Sequence, residues 1–235
     1  MKQLKLMDQV FWTKKDLRTE EIIEKLAQLF AIREDEFKPT ILYGGKLTHS
    51  RNTKFDSSKV SLFKKCFKEE SVLRITLTNN DKEEKDVIFG FTIDFARFST
   101  VVSFQVTHSY FSSHEKLLKF LSIAENICNI IRPMYGEIHD LEDSNELLCD
   151  NTYRVHECLP GVYWYNYFGK YYIEKIGKDK LLSSPASKIE ELGNGDIIVY
   201  TSDNPFDYSS PTSRKSQKKL RKYLGIKNKR KNNIF

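Results

Sequence analysis

The sequence lacks the residue patterns that mark the common classes of enzyme and of membrane-spanning protein. Its 235 residues contain no HExxH, GxSxG or GxGxxG motif and no protein-kinase signature. Gly44-Gly-Lys46 resembles the end of a phosphate-binding loop, but Thr40 stands at its first glycine and Leu47 at the hydroxyl residue that would hold Mg²⁺. No segment reaches the ~18 uncharged apolar residues of a membrane span. We therefore expect no enzymatic activity, no cofactor and no membrane partner.

Cysteine is scarce and irregularly spaced. Cys66, Cys128, Cys149 and Cys158 form no CxxC pair, a pattern that predicts free thiols in a reducing compartment. Charged residues within the first eight positions interrupt the apolar stretch that a signal peptide needs. The sequence therefore predicts a cytoplasmic protein.

Two of these cysteines lie near two histidines, and zinc is the metal that such ligands suggest. His139, Cys149, His156 and Cys158 are ten, seven and two residues apart, whereas structural zinc sites contain closely paired ligands. We expect these four residues to be ordinary histidines and buried thiols, with a divergent metal-dependent enzyme as the alternative.

Charge is unevenly distributed along the chain. The net charge of +6 combines 22 basic and 18 acidic residues over 1–136, 6 and 14 over 137–213, and 10 and none over 214–235. An acidic region followed by a basic terminus indicates two surfaces that could face different partners. The ten terminal cations could bind nucleic acid, neutralise the acidic region or keep the protein soluble.

Apolar periodicity predicts a mixture of helices and antiparallel strands. Leu73, Ile75 and Leu77 alternate with polar residues, and 87–95 and 98–107 follow as two further strand-like runs, which together predict a meander. Gly193-Asn-Gly195 predicts a hairpin. Helices are predicted over 13–30, 58–67, 112–132, 141–148, 171–176, 178–182 and 211–224, and strands also over 41–47, 134–139, 162–168, 189–192 and 197–200.

These elements predict an α+β fold, a mostly antiparallel sheet with helices packed on it in a single compact domain. We expect this domain to cover residues 1–225, with an N-terminal part over about 1–110 and a C-terminal part over about 111–225. Residues 226–235 would then form a basic tail.

An acidic stretch over 137–150 carries six carboxylates and no basic side chain. A metal-dependent nuclease would need a lysine beside such carboxylates, and none lies nearby in sequence. An acidic face can instead steer a basic partner, or it can be a solvated helix with its leucines turned inward. The candidate partner-binding carboxylates are Glu137, Asp140, Glu142, Asp143 and Glu146.

Seven of the eleven residues over 162–172 are aromatic. If this segment is a strand, alternation places Tyr163, Tyr165 and Tyr167 on one face. Tyrosine is enriched at protein interfaces, although core packing is the alternative for at least half of these rings. We predict that the tyrosine face is exposed and binds a partner.

The order of several short motifs in the C-terminal half resembles that of a known family. Met134-Tyr-Gly136 follows a helix, and Gly161-Val-Tyr-Trp-Tyr-Asn-Tyr-Phe-Gly169 comes next. Further motifs are 176–186, Gly195-Asp-Ile-Ile-Val-Tyr200, Asn204-Pro-Phe-Asp207 and a terminal helix ending at Leu224-Gly225. Over about residues 100–226 the chain resembles polymorphic-toxin immunity protein family 52 and the related type VI secretion immunity proteins, formerly a domain of unknown function.

The resemblance implies a cytoplasmic antidote that binds and inactivates a cognate protein toxin, in that family often a nuclease of the restriction-endonuclease type. In this hypothesis the five carboxylates approach a basic cleft of the toxin, and the three tyrosines supply buried anchors. The alternatives are a nucleic-acid-binding module that uses the basic C-terminal tail and the divergent metal-dependent enzyme.

Overall fold

A computed structural model describes residues 5–46, 49–80, 87–141, 155–207 and 210–226. The chain divides into two compact units. The N-terminal unit contains residues 1–6 and 13–132, and the C-terminal unit contains residues 7–12 and 133–235. The division after Arg132 lies beyond the predicted change near residue 110, while the single domain over 1–225 stays a prediction. Among the described residues, none of the helices combines the length and apolar composition that crossing a bilayer requires.

The sheet of the N-terminal unit confirms the predicted meander. Strands β4, β5 and β6 are consecutive in the chain and pair in that order, all antiparallel. Strands β2 and β3 extend this sheet, giving the order β3-β2-β4-β5-β6. The strands are β2 (Ile41–Lys46), β3 (His49–Lys54), β4 (Arg74–Thr78), β5 (Phe89–Phe95) and β6 (Thr100–Thr107).

Three helices cover this sheet through aromatic contacts. The ring of Phe30 stacks on that of Phe91 with 3.7 Å between centroids, and the ring of Phe120 lies 5.9 Å from that of Phe104. The helices are α1 (Glu20–Leu26), which continues as a π-helical turn over Ala27–Ala31, α2 (Val60–Lys68) and α3 (His114–Ile131).

The predicted starts of two helices, 13–30 and 112–132, had different outcomes. The Ser113 hydroxyl caps α3 by accepting a hydrogen bond from the Lys116 amide, and Arg132 ends the helix with φ 49° before Pro133. The helix predicted over 13–30 begins later than expected, because the Thr13 hydroxyl donates to the Ile131 carbonyl at 2.9 Å and α1 begins at Glu20.

The C-terminal unit is built on a second antiparallel series, in the order β1-β7-β8-β10-β9. Its first strand was not predicted, because Asp8 and Gln9 interrupt the apolar pattern. The strands are β1 (Leu6–Thr13), β7 (Tyr135–Asp140), β8 (Tyr165–Phe168), β9 (Lys188–Glu191) and β10 (Ile197–Tyr200). The helices are α4 (Lys170–Ile176), α5 (Lys178–Leu182) and α6 (Pro211–Leu224).

The turn between β9 and β10 confirms the predicted hairpin. The Leu192 amide donates to the Asp196 carbonyl at 2.8 Å, and Gly195 has φ 84°, a value that favours glycine. Helices and antiparallel strands in both units confirm the predicted α+β class. The predicted acidic helix over 141–148 lies outside the described residues from 142 onward.

Candidate functional site

The first two carboxylates of the predicted acidic surface are buried. Glu137 is 2% exposed and Asp140 0% exposed, so the expectation that they face a partner is wrong for the described chain. The reason is topological, because β7 lies between β1 and β8 in the sheet and both of its faces are covered. Glu142, Asp143 and Glu146 lie outside the described residues.

The buried polar side chains form a row across one face of this sheet. In the strand register Asp8 lies opposite His139, while Glu137 lies opposite Val10 on one side and Asn166 on the other. Residues paired across antiparallel strands share a face, so Asp8, His139, Glu137 and Asn166 project to the same side. The His139 Nδ1 atom lies 3.7 Å from Glu137 Oε1. Charged and amide groups thus replace apolar packing at the centre of the C-terminal unit.

Asn166 is the organising residue of this row. Its Oδ1 accepts from the Tyr163 amide at 2.9 Å, and its Nδ2 donates to the carbonyls of Tyr163 at 2.9 Å and Val199 at 3.1 Å. The Tyr135 hydroxyl lies 3.0 Å from the same Oδ1 and 3.1 Å from the Gly161 carbonyl oxygen. The Asn166 side chain therefore connects β8 by hydrogen bonds to β10 and to the segment that precedes β8.

Burial controls the protonation of this row. It lowers the pKa of His139 to about 4, even though Asp140 acts in the opposite direction. Burial, reinforced by Glu137, raises the pKa of Tyr135 well above its usual value. His139 is therefore neutral at pH 7, and its ring stacks on Tyr163 with 4.5 Å between centroids.

Metal-binding geometry is not found in this row. Within the ranges that the structure describes, no group of three or more His, Cys, Asp or Glu side chains is placed to hold a metal ion. The prediction of four free thiols is wrong for Cys158, which is disulfide-bonded, whereas Cys66 and Cys128 form no disulfide. Cys149 lies outside the described residues. A disulfide is typical of oxidising compartments rather than of the cytoplasm.

The aromatic segment forms part of the core instead of an exposed face. Tyr163 and Tyr165 are each 2% exposed and Tyr167 is 0% exposed, so the predicted exposure is wrong for all three. The Tyr167 hydroxyl donates to the Asp196 carboxylate, and Trp164 Nε1 donates to the Ser202 carbonyl at 2.8 Å. These two buried polar groups thus have partners within the C-terminal unit.

The glycines of the resembling motifs are required by close packing in this core. A Cβ on Gly136 would lie 2.1 Å from the Phe11 ring, one on Gly161 2.3 Å from the Tyr163 ring, and one on Gly169 2.0 Å from the Pro133 carbonyl oxygen. Packing within this unit therefore accounts for the glycines in the most specific part of the resemblance.

One group of exposed charges that the structure describes is wholly basic and lies on α6. Lys215, Lys218, Lys219 and Lys222 are exposed, whereas the opposite side of the helix is buried. The buried residues of α6 are Ser213, Gln217, Leu220 and Leu224. Helix α6 begins at the Ser210 cap and ends at Gly225, whose φ is 74°. The sequence predicted this helix and its charge, and the structure adds that the lysines share one face.

Comparison with known proteins identifies the fold. No protein-family model matches the chain, and no curated protein matches it in sequence. Among solved structures, the Pseudomonas aeruginosa T6SS protein PA0821 is similar, with a TM-score of 0.69 and 15% sequence identity. The alignment covers 95% of this chain and 73% of that chain. At this identity the similarity shows a shared fold with a type VI secretion system protein.

Proposed function

We propose that this protein is an immunity protein of a type VI secretion or related polymorphic-toxin system, which binds and neutralises a cognate toxin. The observation that carries this proposal is the fold similarity to a T6SS protein over 95% of the chain. The motif order that resembles immunity protein family 52 supports it independently. In this proposal the protein acts by binding rather than by catalysis, and a nuclease is the first candidate for the toxin.

The buried positions change how such binding would work. Glu137, Asp140 and the three tyrosines are buried in the C-terminal unit and are not available as exposed anchors. The electrostatic part of the proposal then rests on Glu142, Asp143 and Glu146, which the charge pattern of the sequence indicates. An acidic contact of this kind would speed association and weaken as salt rises.

Affinity purification from the native cell is the direct experiment. We expect a tagged copy of the chain to retain one protein of the same organism, and co-expression with that protein to relieve its toxicity. A standard interface would bury about 1,200–2,000 Å² in total. If the chain retains no protein whose toxicity it relieves, the proposed function is wrong.

A charge-reversal pair then tests the acidic segment. We expect Glu142→Lys with Asp143→Lys to slow association and weaken protection, because both changes oppose a basic toxin surface. The matched control is Glu125→Lys with Glu174→Lys, which changes the net charge equally at exposed helix positions. Equal protection by both variants would remove the acidic segment from the interface while leaving the immunity function in place.

The compartment requires its own measurement. A cytoplasmic location is part of the proposal, and the Cys158 disulfide is the observation that opposes it. Alkylation of the denatured protein immediately after cell lysis counts the free thiols. Labelling of all four cysteines indicates the reducing cytoplasm, whereas an unlabelled Cys158 indicates an oxidising compartment.

A further inference from the structure

We propose that the exposed face of α6 binds the sugar-phosphate backbone of nucleic acid without sequence preference. We call this face the lysine face and define it as Lys215, Lys218, Lys219 and Lys222. This site is separate from the toxin contact proposed above and needs no toxin to be tested.

The spacing of the lysine face places its charges in one stripe. The four lysines stand at positions i, i+3, i+4 and i+7 of an α-helix, which fall on one side of it. At 1.5 Å per residue the stripe is about 10.5 Å long. This length spans about three base-pair steps of a duplex, in which each strand carries one phosphate per ~3.4 Å of the duplex axis.

The lysine face differs from the exposed lysines of α1, α2 and α4 in having no neutralising carboxylates. Exposed lysines on α1, α2 and α4 form i,i+4 ion pairs, namely Lys25 with Glu21 at 2.6 Å, Lys65 with Glu69 at 3.7 Å and Lys170 with Glu174 at 3.9 Å. Helix α6 contains no acidic residue. Among the described residues, its four exposed lysines form no ion pair.

The helix keeps this face at an electrostatic cost. Lys215 with Lys219, and Lys218 with Lys222, are like charges at i,i+4, an arrangement that destabilises a helix. The helix is held because Leu220 and Leu224 are buried. Since its apolar side is already packed within the C-terminal unit, α6 has no free apolar face with which to enter a lipid surface.

The residue types favour phosphate over an acidic protein. Lysine is depleted at protein–protein interfaces, whereas it is a standard contact to nucleic-acid phosphates. Tyr223 stands four residues after Lys219, on the same side of the helix, and is 38% exposed, with its hydroxyl 2.9 Å from Ser183 Oγ. A partly exposed ring beside cations can stack on an unpaired base. The lysine face therefore fits single-stranded nucleic acid at least as well as a duplex.

Fluorescence anisotropy with the full chain tests the proposal. The probes are a labelled 20-nucleotide single strand and a labelled 20-base-pair duplex of mixed sequence, each titrated between 50 and 200 mM NaCl. We expect binding whose logarithm falls linearly with the logarithm of salt concentration, because bound lysines release counterions. Four phosphate contacts alone would weaken duplex binding about 100-fold over this range.

Glutamine variants locate the site. Lys215→Gln, Lys218→Gln, Lys219→Gln and Lys222→Gln together should weaken binding at least about tenfold at 50 mM salt and reduce the salt slope by about 3. The control is Lys25→Gln, Lys38→Gln, Lys65→Gln and Lys170→Gln, which removes the same charge from lysines that form ion pairs. If the fourfold α6 variant misfolds by circular dichroism, Lys218→Gln with Lys222→Gln should give about half of its change in slope.

Three results would overturn the proposal. One is an absence of binding to either probe at 50 mM salt, and another is an equal loss in the control variant, which would indicate net charge alone. The third is competition by poly-L-glutamate that equals, charge for charge, the competition by unlabelled nucleic acid. That result would assign the lysine face to an acidic protein partner.

Discussion

The two units share an antiparallel α+β architecture but fill their interiors with different chemistry. The N-terminal unit is packed with phenylalanine, as in the stacked rings of Phe30 and Phe91. The C-terminal unit is packed with tyrosine and tryptophan around the buried side chains of Glu137, His139 and Asn166. A phenylalanine core needs only matching shapes, whereas each buried hydroxyl, amide or carboxylate also needs a hydrogen-bonding partner.

This difference explains why the resemblance lies where it does. A tyrosine core constrains residue identity at many positions at once, because Asn166 and Tyr135 must meet with correct geometry. The glycines that admit Phe11 and Tyr163 add further fixed positions. Such a segment carries a recognisable motif order without being a binding site.

The largest effect is expected from a cavity in the phenylalanine core. Phe91→Ala removes a fully buried ring that stacks on Phe30, and we expect it to lower the free energy of unfolding by about 3–5 kcal/mol. Phe91→Leu keeps most of the volume and should cost about 1 kcal/mol. Denaturant unfolding followed by circular dichroism measures both. A similar cost for the two variants would show that this core does not depend on filled volume.

The two tryptophans make this variant informative about both units. Trp12 and Trp164 both belong to the C-terminal unit, so tryptophan fluorescence reports that unit while far-ultraviolet circular dichroism reports the whole chain. If Phe91→Ala shifts both transitions together, the units unfold cooperatively. If only circular dichroism shifts, they unfold independently.

The polar core is tested by removing its organising amide. Asn166→Leu leaves the Tyr163 amide and the Tyr163 and Val199 carbonyls without their present partner, and we expect a loss of about 3 kcal/mol. The control is Thr76→Val, which breaks a partly exposed cross-strand contact with Thr92 of 3.0 Å and should cost less than about 1 kcal/mol. A cost for Asn166→Leu no larger than for the control would contradict the role assigned to the amide network.

The two units should also respond to acid in different pH ranges. His139 has a folded-state pKa of about 4 against an ordinary 6.5, so the unfolded chain takes up its proton first as the pH falls. Stability should be complete above pH 6.5 and fall by up to about 1.4 kcal/mol per unit between pH 6.5 and 4. His139→Phe keeps a ring against Tyr163 and should abolish this slope, as measured by denaturant unfolding at several pH values.

In the N-terminal unit the corresponding group is a carboxylate. Burial would raise the pKa of Asp35, but hydrogen bonds from Arg33 and Lys119 outweigh it and hold that pKa well below the ordinary 3.8. Its contribution is therefore present above pH 3.8 and lost only at lower pH. Asp35→Asn should leave the slope between pH 6.5 and 4 unchanged, and a change there would contradict the assignment of that slope to His139.

The sequence predicted elements whose local pattern agrees with their burial. Alternation identified the β4–β6 meander, and Asn-Gly identified the β9–β10 hairpin. The sequence did not predict β1, because Asp8 and Gln9 are polar residues that are nevertheless buried in the sheet. Predicting a strand from alternating polar and apolar residues assumes that the polar side chains face water. This assumption holds for the strands of the N-terminal meander and fails for β1 of the C-terminal unit.

The candidate site was less predictable, for a related reason. Alternation correctly placed Tyr165 and Tyr167 on one face, since they pair with Ile138 and Gly136. Both faces of β8 are covered, however, and Tyr163 lies before the strand and stacks on His139. Which side of a strand meets solvent depends on the order of distant elements, which one strand's residues do not encode.

The smallest expected effect is a gain in stability on the exposed side of the C-terminal unit. Replacing the four lysines of the lysine face by glutamine removes two like-charge i,i+4 pairs, each worth about 0.2–0.5 kcal/mol at low salt. In 10 mM salt we expect the variant to unfold at a slightly higher denaturant concentration than the wild-type chain. The gain should vanish in 1 M salt, where charges more than ~3 Å apart are screened. The measurement is a pair of denaturant titrations at the two salt concentrations. Because the substitutions leave the buried side of α6 unchanged, a loss of stability at both salt concentrations would mean that the lysines support the core. Weaker nucleic-acid binding by this variant would then reflect a damaged helix.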